Sequence, residues 1–139
     1  MPLGDSFPPE LQEQQFTNCF QPGQIISLYC SFTNPPKNKF FVIASTRPLV
    51  LLFIVNSEVN DFIKNRLVLF DCQIHLIAKD YSFLDHDSYL ACHEIINHFT
   101  DEQVRAQIVK DFSRHKGKIT QQTRDDIINV LNKSQVLPL

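Results

Sequence analysis

A chain of 139 residues that is 43% hydrophobic and holds twelve Phe is long enough to bury a core and too apolar to stay disordered. Its formal charge of -2 excludes a general attraction to polyanions, so contact with nucleic acid needs a local basic patch. The first residues lack the pattern of a signal peptide, the longest apolar run (residues 48–55) is too short to span a bilayer, and the four cysteines are irregularly spaced; a cytoplasmic, membrane-free protein with reduced thiols is expected.

Residues 1–21 carry Pro2, Pro8, Pro9 and several Gln without a sustained period, which predicts a flexible N-terminal arm ahead of a single domain over residues 22–139. Pro22-Gly23 introduces a first strand, where Ile26, Leu28, Cys30 and Phe32 alternate with Ser27, Tyr29 and Ser31. Pro35 and Pro36 force a loop. The apolar runs 40–44 and 49–55, separated by Thr46-Arg47-Pro48, predict two buried strands. Residues 56–64 are expected to form a loop with one helical turn. Residues 67–77 alternate again, with Val68, Phe70, Cys72, Ile74 and Leu76 on one side. Residues 88–98 complete a set of about five strands, the pattern of a small barrel or sandwich.

The pattern then becomes helical. Thr100 and Gln103 are spaced as a capping box, Phe99 and Val104 as a hydrophobic staple, and Val104, Ile108 and Phe112 recur on one face, with Gly117 as the expected stop. A second helix is expected after Thr120, with Ile127, Val130 and Leu131 on its apolar side.

The stretch 83–94 concentrates His86, His93, Asp85, Asp87, Glu94, Cys92, Ser88 and Tyr89, and is where acid, base and hydrogen-bonding groups could meet. Ser88 with His86 or His93 and Asp87 has the composition of a triad, but no glycine elbow accompanies them. Cys72, His75, Cys92 and His93 are metal-ligand types; on a regular strand, however, Cys72 and His75 point to opposite faces. Lys110, Arg114, Lys116 and Lys118 form a local basic tract near a helix end.

Three segments resemble the PemK/MazF family of toxins from toxin–antitoxin pairs. Pro22-Gly23-Gln24-Ile25-Ile26-Ser27-Leu28-Tyr29 resembles the opening strand, Lys39-Phe40-Phe41-Val42-Ile43-Ala44-Ser45 the second, and Asp87-Ser88-Tyr89-Leu90-Ala91-Cys92-His93-Glu94 a later strand near the active site. Gly117-Lys118-Ile119-Thr120 is similar to the approach to the last helix. The resemblance implies a mainly β fold with C-terminal helices: a small SH3-like barrel of about five strands plus two helices, forming a homodimer and bound by an antitoxin protein. It also implies metal-independent cleavage of single-stranded RNA, with no cofactor. By matched position His93 would be the acid or base, Lys39 the phosphate cation, and Asn56 or Ser57 a donor to phosphate. Ala91 stands where some members carry an Arg, and His93 where they carry an Asp. RNA binding is expected at Lys37, Lys39 and Tyr29; Tyr29, Phe32 and Phe40 flank the first loop, where bases could stack. The alternative is the same barrel with an eroded site, binding RNA or a protein partner without turnover.

Overall fold

The computed structural model describes residues 8–57 and 72–133. The predicted loop over residues 56–64 and the first part of the strand over 67–77 therefore lie largely outside the described residues. The described chain is mixed α/β. Its elements are α1 (Pro9–Cys19), β1 (Gln24–Cys30), β2 (Lys37–Ser45), β3 (Leu51–Asn56), β4 (Gln73–Leu76), β5 (Ser88–Ile96), α2 (Asp101–Lys110), β6 (His115–Lys118) and α3 (Gln121–Lys133). The six strands make one antiparallel sheet in the order β4-β5-β3-β2-β1-β6, curled into a half-barrel.

The sheet is buried on both faces, which explains why β2 and β3 are continuous apolar runs. On one face Ile26, Leu28, Cys30, Phe41, Ile43 and Leu52 pack with Val104 and Ile108 of α2 and with Phe16 and Cys19 of α1. On the other, Ile25, Val42, Phe53, Val55, Ile74 and Leu90 pack with Tyr81, Ile119 and Ile127. The alternation expected around Cys72 holds: Cys72, Ile74 and Leu76 are buried while His75 is exposed on the opposite face. Phe32, expected inside the first strand, lies beyond its end and is exposed, stacked on His98 at 4.3 Å.

Residues 9–19 correct the expectation of a flexible arm. Pro9 suits the first helical turn, where its missing N–H costs nothing, and Glu10 meets the positive end of the helix dipole. The helix is mostly polar, and at its one contact edge Phe16 (6% exposed) and Cys19 enter the core. Arg105 of α2 holds the helix from outside, pairing with Glu13 and lying 4.8 Å above the Phe16 ring.

Helix α2 starts as its sequence predicts. The Thr100 hydroxyl accepts the Gln103 N–H at 3.1 Å, and the Thr100 N–H donates to the Gln103 side chain at 2.9 Å. It ends earlier than expected. At Asp111 the backbone is extended and the carboxylate accepts from the Ser113 N–H (3.1 Å) and hydroxyl (2.6 Å), opening a short 3-10 turn. Gly117 is no helix stop. It lies in β6 at φ +120°, opposite Ile25, where the register with β1 shifts.

Helix α3 is tied to the sheet by one phenol. The buried Tyr81 hydroxyl donates to Thr123 Oγ1 at 2.7 Å and accepts the Thr120 N–H at 3.1 Å, while Thr120 Oγ1 caps the helix by accepting the Thr123 N–H at 3.2 Å. Tyr81→Phe leaves that N–H without its acceptor, so urea denaturation should show a loss of about 1–3 kcal/mol with an unchanged m-value. Among the described residues no helix is long and apolar enough to cross a membrane.

Candidate functional site

The antiparallel register places a polar row across one end of the sheet. Leu28 of β1 pairs with Lys39 of β2, Phe40 with Val55 of β3, Asn56 with Tyr89 of β5, and Tyr89 with His75 of β4. Lys39 and Asn56 thus become lateral neighbours, and the ammonium donates to Asn56 Oδ1 at 3.3 Å. Farther along the row the His75 ring stacks on Tyr89 with centroids 5.4 Å apart. His75 Nε2 lies 3.0 Å from Asp87 Oδ2. The other Asp87 oxygen accepts the Ala78 N–H at 2.8 Å; that bond, followed by His75, holds the carboxyl below its usual range.

Next to this row is a hollow of ≈ 250 Å³. The segment after Tyr81 folds back over the sheet end, because Phe83 packs edge-to-face on Phe40 (4.7 Å) and on Tyr81 (6.0 Å). Phe40, Val55, Phe83 and Leu84 supply its apolar lining. Lys37, Lys39 and Ser57 come from the strand ends, and Asp85, His86 and Ser88 from the segment that folds over. Five of the eleven residues lining the hollow, Phe83, Leu84, Asp85, His86 and Ser88, come from the 83–94 stretch.

Electrostatically the hollow is cationic on one side. Lys39 is half-buried, and burial, then the neighbouring Lys37 charge, push its amine below the usual lysine range. Among the described residues the ion pairs are His75–Asp87 and Arg105–Glu13, and neither Lys37 nor Lys39 has a carboxylate of these residues within 4.0 Å. Two like charges held beside an apolar floor, with no ion-pair partner among the described residues, are suited to an anionic ligand.

The structure brings together Lys37, Lys39, Asn56 and Ser57 among the expected site residues. Tyr29 is one strand away, opposite Asn38, and 47% exposed, with its backbone bound on both sides by the Gln107 amide (2.7 and 3.3 Å). His93 is not part of this group. It lies four residues beyond Tyr89 on β5, about 13 Å along the strand, far outside the reach of a general acid or base for a ligand held by Lys39. Its Nδ1 meets the Gln73 amide at 2.8 Å. Ala91, where the resemblance noted above leads one to expect an Arg, is fully buried between β3 and β4.

The chain matches no family model, no curated protein and no solved structure.

Other arrangements suggested by the sequence dissolve. Ser88 Oγ donates to the His86 carbonyl (3.2 Å), His86 Nδ1 lies 2.9 Å from the Asp87 carbonyl, and the Asp87 side chain serves His75, so no triad forms. Cys72 and Cys92 are buried cross-strand neighbours, and burial pushes the Cys92 thiol up to about 12. Among the described residues no group of three or more His, Cys, Asp or Glu side chains is placed to hold a metal ion.

Sequence reasoning missed Arg114 as a neighbour of the site. Its guanidinium donates to Asn38 Oδ1 at 3.0 Å and to the Ser27 carbonyl at 3.1 Å, which places a third cation beside the residue that follows Lys37 in β2. Its membership of a basic tract was visible; its strand partners depend on how β6 returns to β1.

Burial disfavours protonation of His93, more than the adjacent Glu94 favours it. As pH falls through the ordinary imidazole range, the unfolded chain therefore binds a proton at His93 before the folded chain does. Stability is lost on acidification and is fully present above the unfolded pKa. His93→Gln should flatten the decline of Tm between roughly pH 7 and 5, followed by thermal melts in buffers of constant ionic strength. His115, also shifted down by burial, supplies the part of the slope that remains.

Proposed function

We propose that this chain is a PemK/MazF-like barrel module that binds single-stranded RNA at the hollow between Lys37, Lys39 and Phe83, without cutting it. The observation that carries the reading is a pair of lysines with no ion-pair partner among the described residues, beside an aromatic-floored hollow. Cations that track phosphates next to apolar rings on which a base can lie are the two elements of sequence-tolerant single-strand recognition. The separation of His93 from Lys39 and the neutral, buried Ala91 support the reading without turnover. A homodimer and an antitoxin protein as partner belong to the same proposal, through the family resemblance.

A second reading is favoured by His86, which shares the hollow with Ser57, Ser88 and the lysines. In that reading His86, not His93, takes the acid or base role in metal-independent cleavage of RNA. One experiment separates the two. Fluorescein-labelled single-stranded RNA is incubated with the protein in EDTA, anisotropy reports binding, and a denaturing gel reports chain length. Saturable binding with intact RNA supports the module. Cleavage that is lost in His86→Ala and kept in His93→Ala supports the second reading, and neither binding nor cleavage at low salt overturns both.

A further inference from the structure

We propose that the hollow takes a single RNA base and prefers guanine, with the Asp85 carboxylate as the group that reads it. This rests on the RNA-binding reading above and names the base it selects.

The ≈ 250 Å³ of the hollow falls below the range of pockets for drug-sized ligands, so one ring system is the unit it suits. The apolar lining of Phe40, Val55, Phe83 and Leu84 offers a surface for a base plane, and the Phe40–Phe83 and Phe83–Tyr81 contacts hold that surface in place before any ligand arrives. The lysines on the strand side leave the base edge to meet the other side, where Asp85, His86 and Ser88 lie.

Those three groups are biased toward accepting hydrogen bonds. Asp85, when ionised, accepts only. Unlike Asp87, whose oxygens are taken by Ala78 and His75, it makes no hydrogen bond or ion pair to another described residue. His86 Nδ1 faces the Asp87 carbonyl and so carries the proton of the neutral ring, leaving Nε2 as an acceptor. Ser88 Oγ has spent its proton on the His86 carbonyl and retains acceptor capacity.

An acceptor-rich rim selects the base with the most donors on its Watson–Crick edge. Guanine presents N1–H and the N2 amino group on adjacent atoms, the spacing that a carboxylate accepts with both oxygens. Adenine and cytosine offer an amino group beside a ring acceptor, which would face Asp85 across two lone pairs. Uracil offers one N–H between two carbonyls. A base that cannot fill the site leaves a desolvated acceptor unpaired.

The test is anisotropy on fluorescein-labelled uridine heptamers carrying a central G, A, C, U or inosine, at about 50 mM salt where phosphate contacts are strong. The G heptamer should bind about ten-fold more tightly than those carrying A, C or U, the discrimination expected of one bidentate base contact. Inosine, which keeps N1–H and lacks the amino group, should fall between. Asp85→Asn should bring the G heptamer down to the level of the others. Equal affinities for all five in the wild-type protein, or a preference that survives Asp85→Asn, overturn the base assignment while RNA binding stands. No binding by any heptamer overturns the RNA reading itself.

Discussion

Replacing Lys37 and Lys39 together by Ala should weaken single-stranded RNA binding by about a hundred-fold at 50 mM salt, as expected for the loss of two phosphate contacts of roughly 1.4 kcal/mol each. It should also lower the slope of log affinity against log salt by about 1.4, the share of two single-strand phosphates. Titrations at several salt concentrations measure both quantities at once. The fold should not suffer. Lys39 is partly desolvated and repelled by Lys37, so removing both charges relieves a cost in the free protein, and the thermal midpoint should stay level or rise. Unchanged RNA affinity with a raised midpoint would mean that the pair is only an electrostatic burden and that RNA binds elsewhere, if at all. Lys79, on the turn before Tyr81 and outside the hollow, is the control: Lys79→Ala should leave the affinity within about two-fold, less than one contact is worth.

Phe16→Ala should destabilise the protein by about 3 kcal/mol, the low end for emptying an aromatic core position because the site lies at the edge of the core. For a chain of this size that corresponds to a fall in Tm of roughly 6 to 12 °C. The loss combines the buried ring, its stacking on Phe20 at 5.0 Å and its contact with the Arg105 guanidinium. A thermal or urea melt decides the matter, because an arm that merely trails from the domain would show no change. Arg105→Ala, which removes the exposed pair with Glu13 and the contact over the Phe16 ring, should lower Tm far less than Phe16→Ala does.

The elements that were legible in the sequence are those whose local pattern agrees with their tertiary role. Cys72, Ile74 and Leu76 alternate because one side of β4 meets the core, and Thr100 with Gln103 caps α2 through bonds four residues wide. Where context overrides propensity the reading failed. Helix α1 buries only two of its eleven residues, too few to mark a period, and exists because the sheet and the apolar side of α2 give Phe16 somewhere to go. Strand β6 is His-Lys-Gly-Lys, with no strand-forming side chain, and is extended because β1 offers it a ladder. The five-strand expectation therefore came one strand short.

The site was legible in the same uneven way. Lys39 and Asn56 could be picked out at strand ends, but their contact depends on the β2–β3 register, which sequence separation does not reveal. His93 and Ser88 are near neighbours in sequence, yet five residues of extended chain carry them to different parts of the sheet. Asp85 and His86 stood out as titratable groups. Their common orientation toward the lysines comes from Phe83 folding onto Phe40, a packing event with no local signature.

The composition of β6 has one more consequence. A sheet that does not close on itself offers outermost backbone donors and acceptors to any extended peptide, a route to uncontrolled polymerisation. Here that rim is four residues long, carries Lys116 and Lys118, and is distorted by Gly117 at φ +120°. Short length, positive charge and a local twist each discourage another chain from adding on. The folded protein should therefore resist seeding fibres from this side, even at concentrations where its exposed Tyr29 and Phe32 favour association.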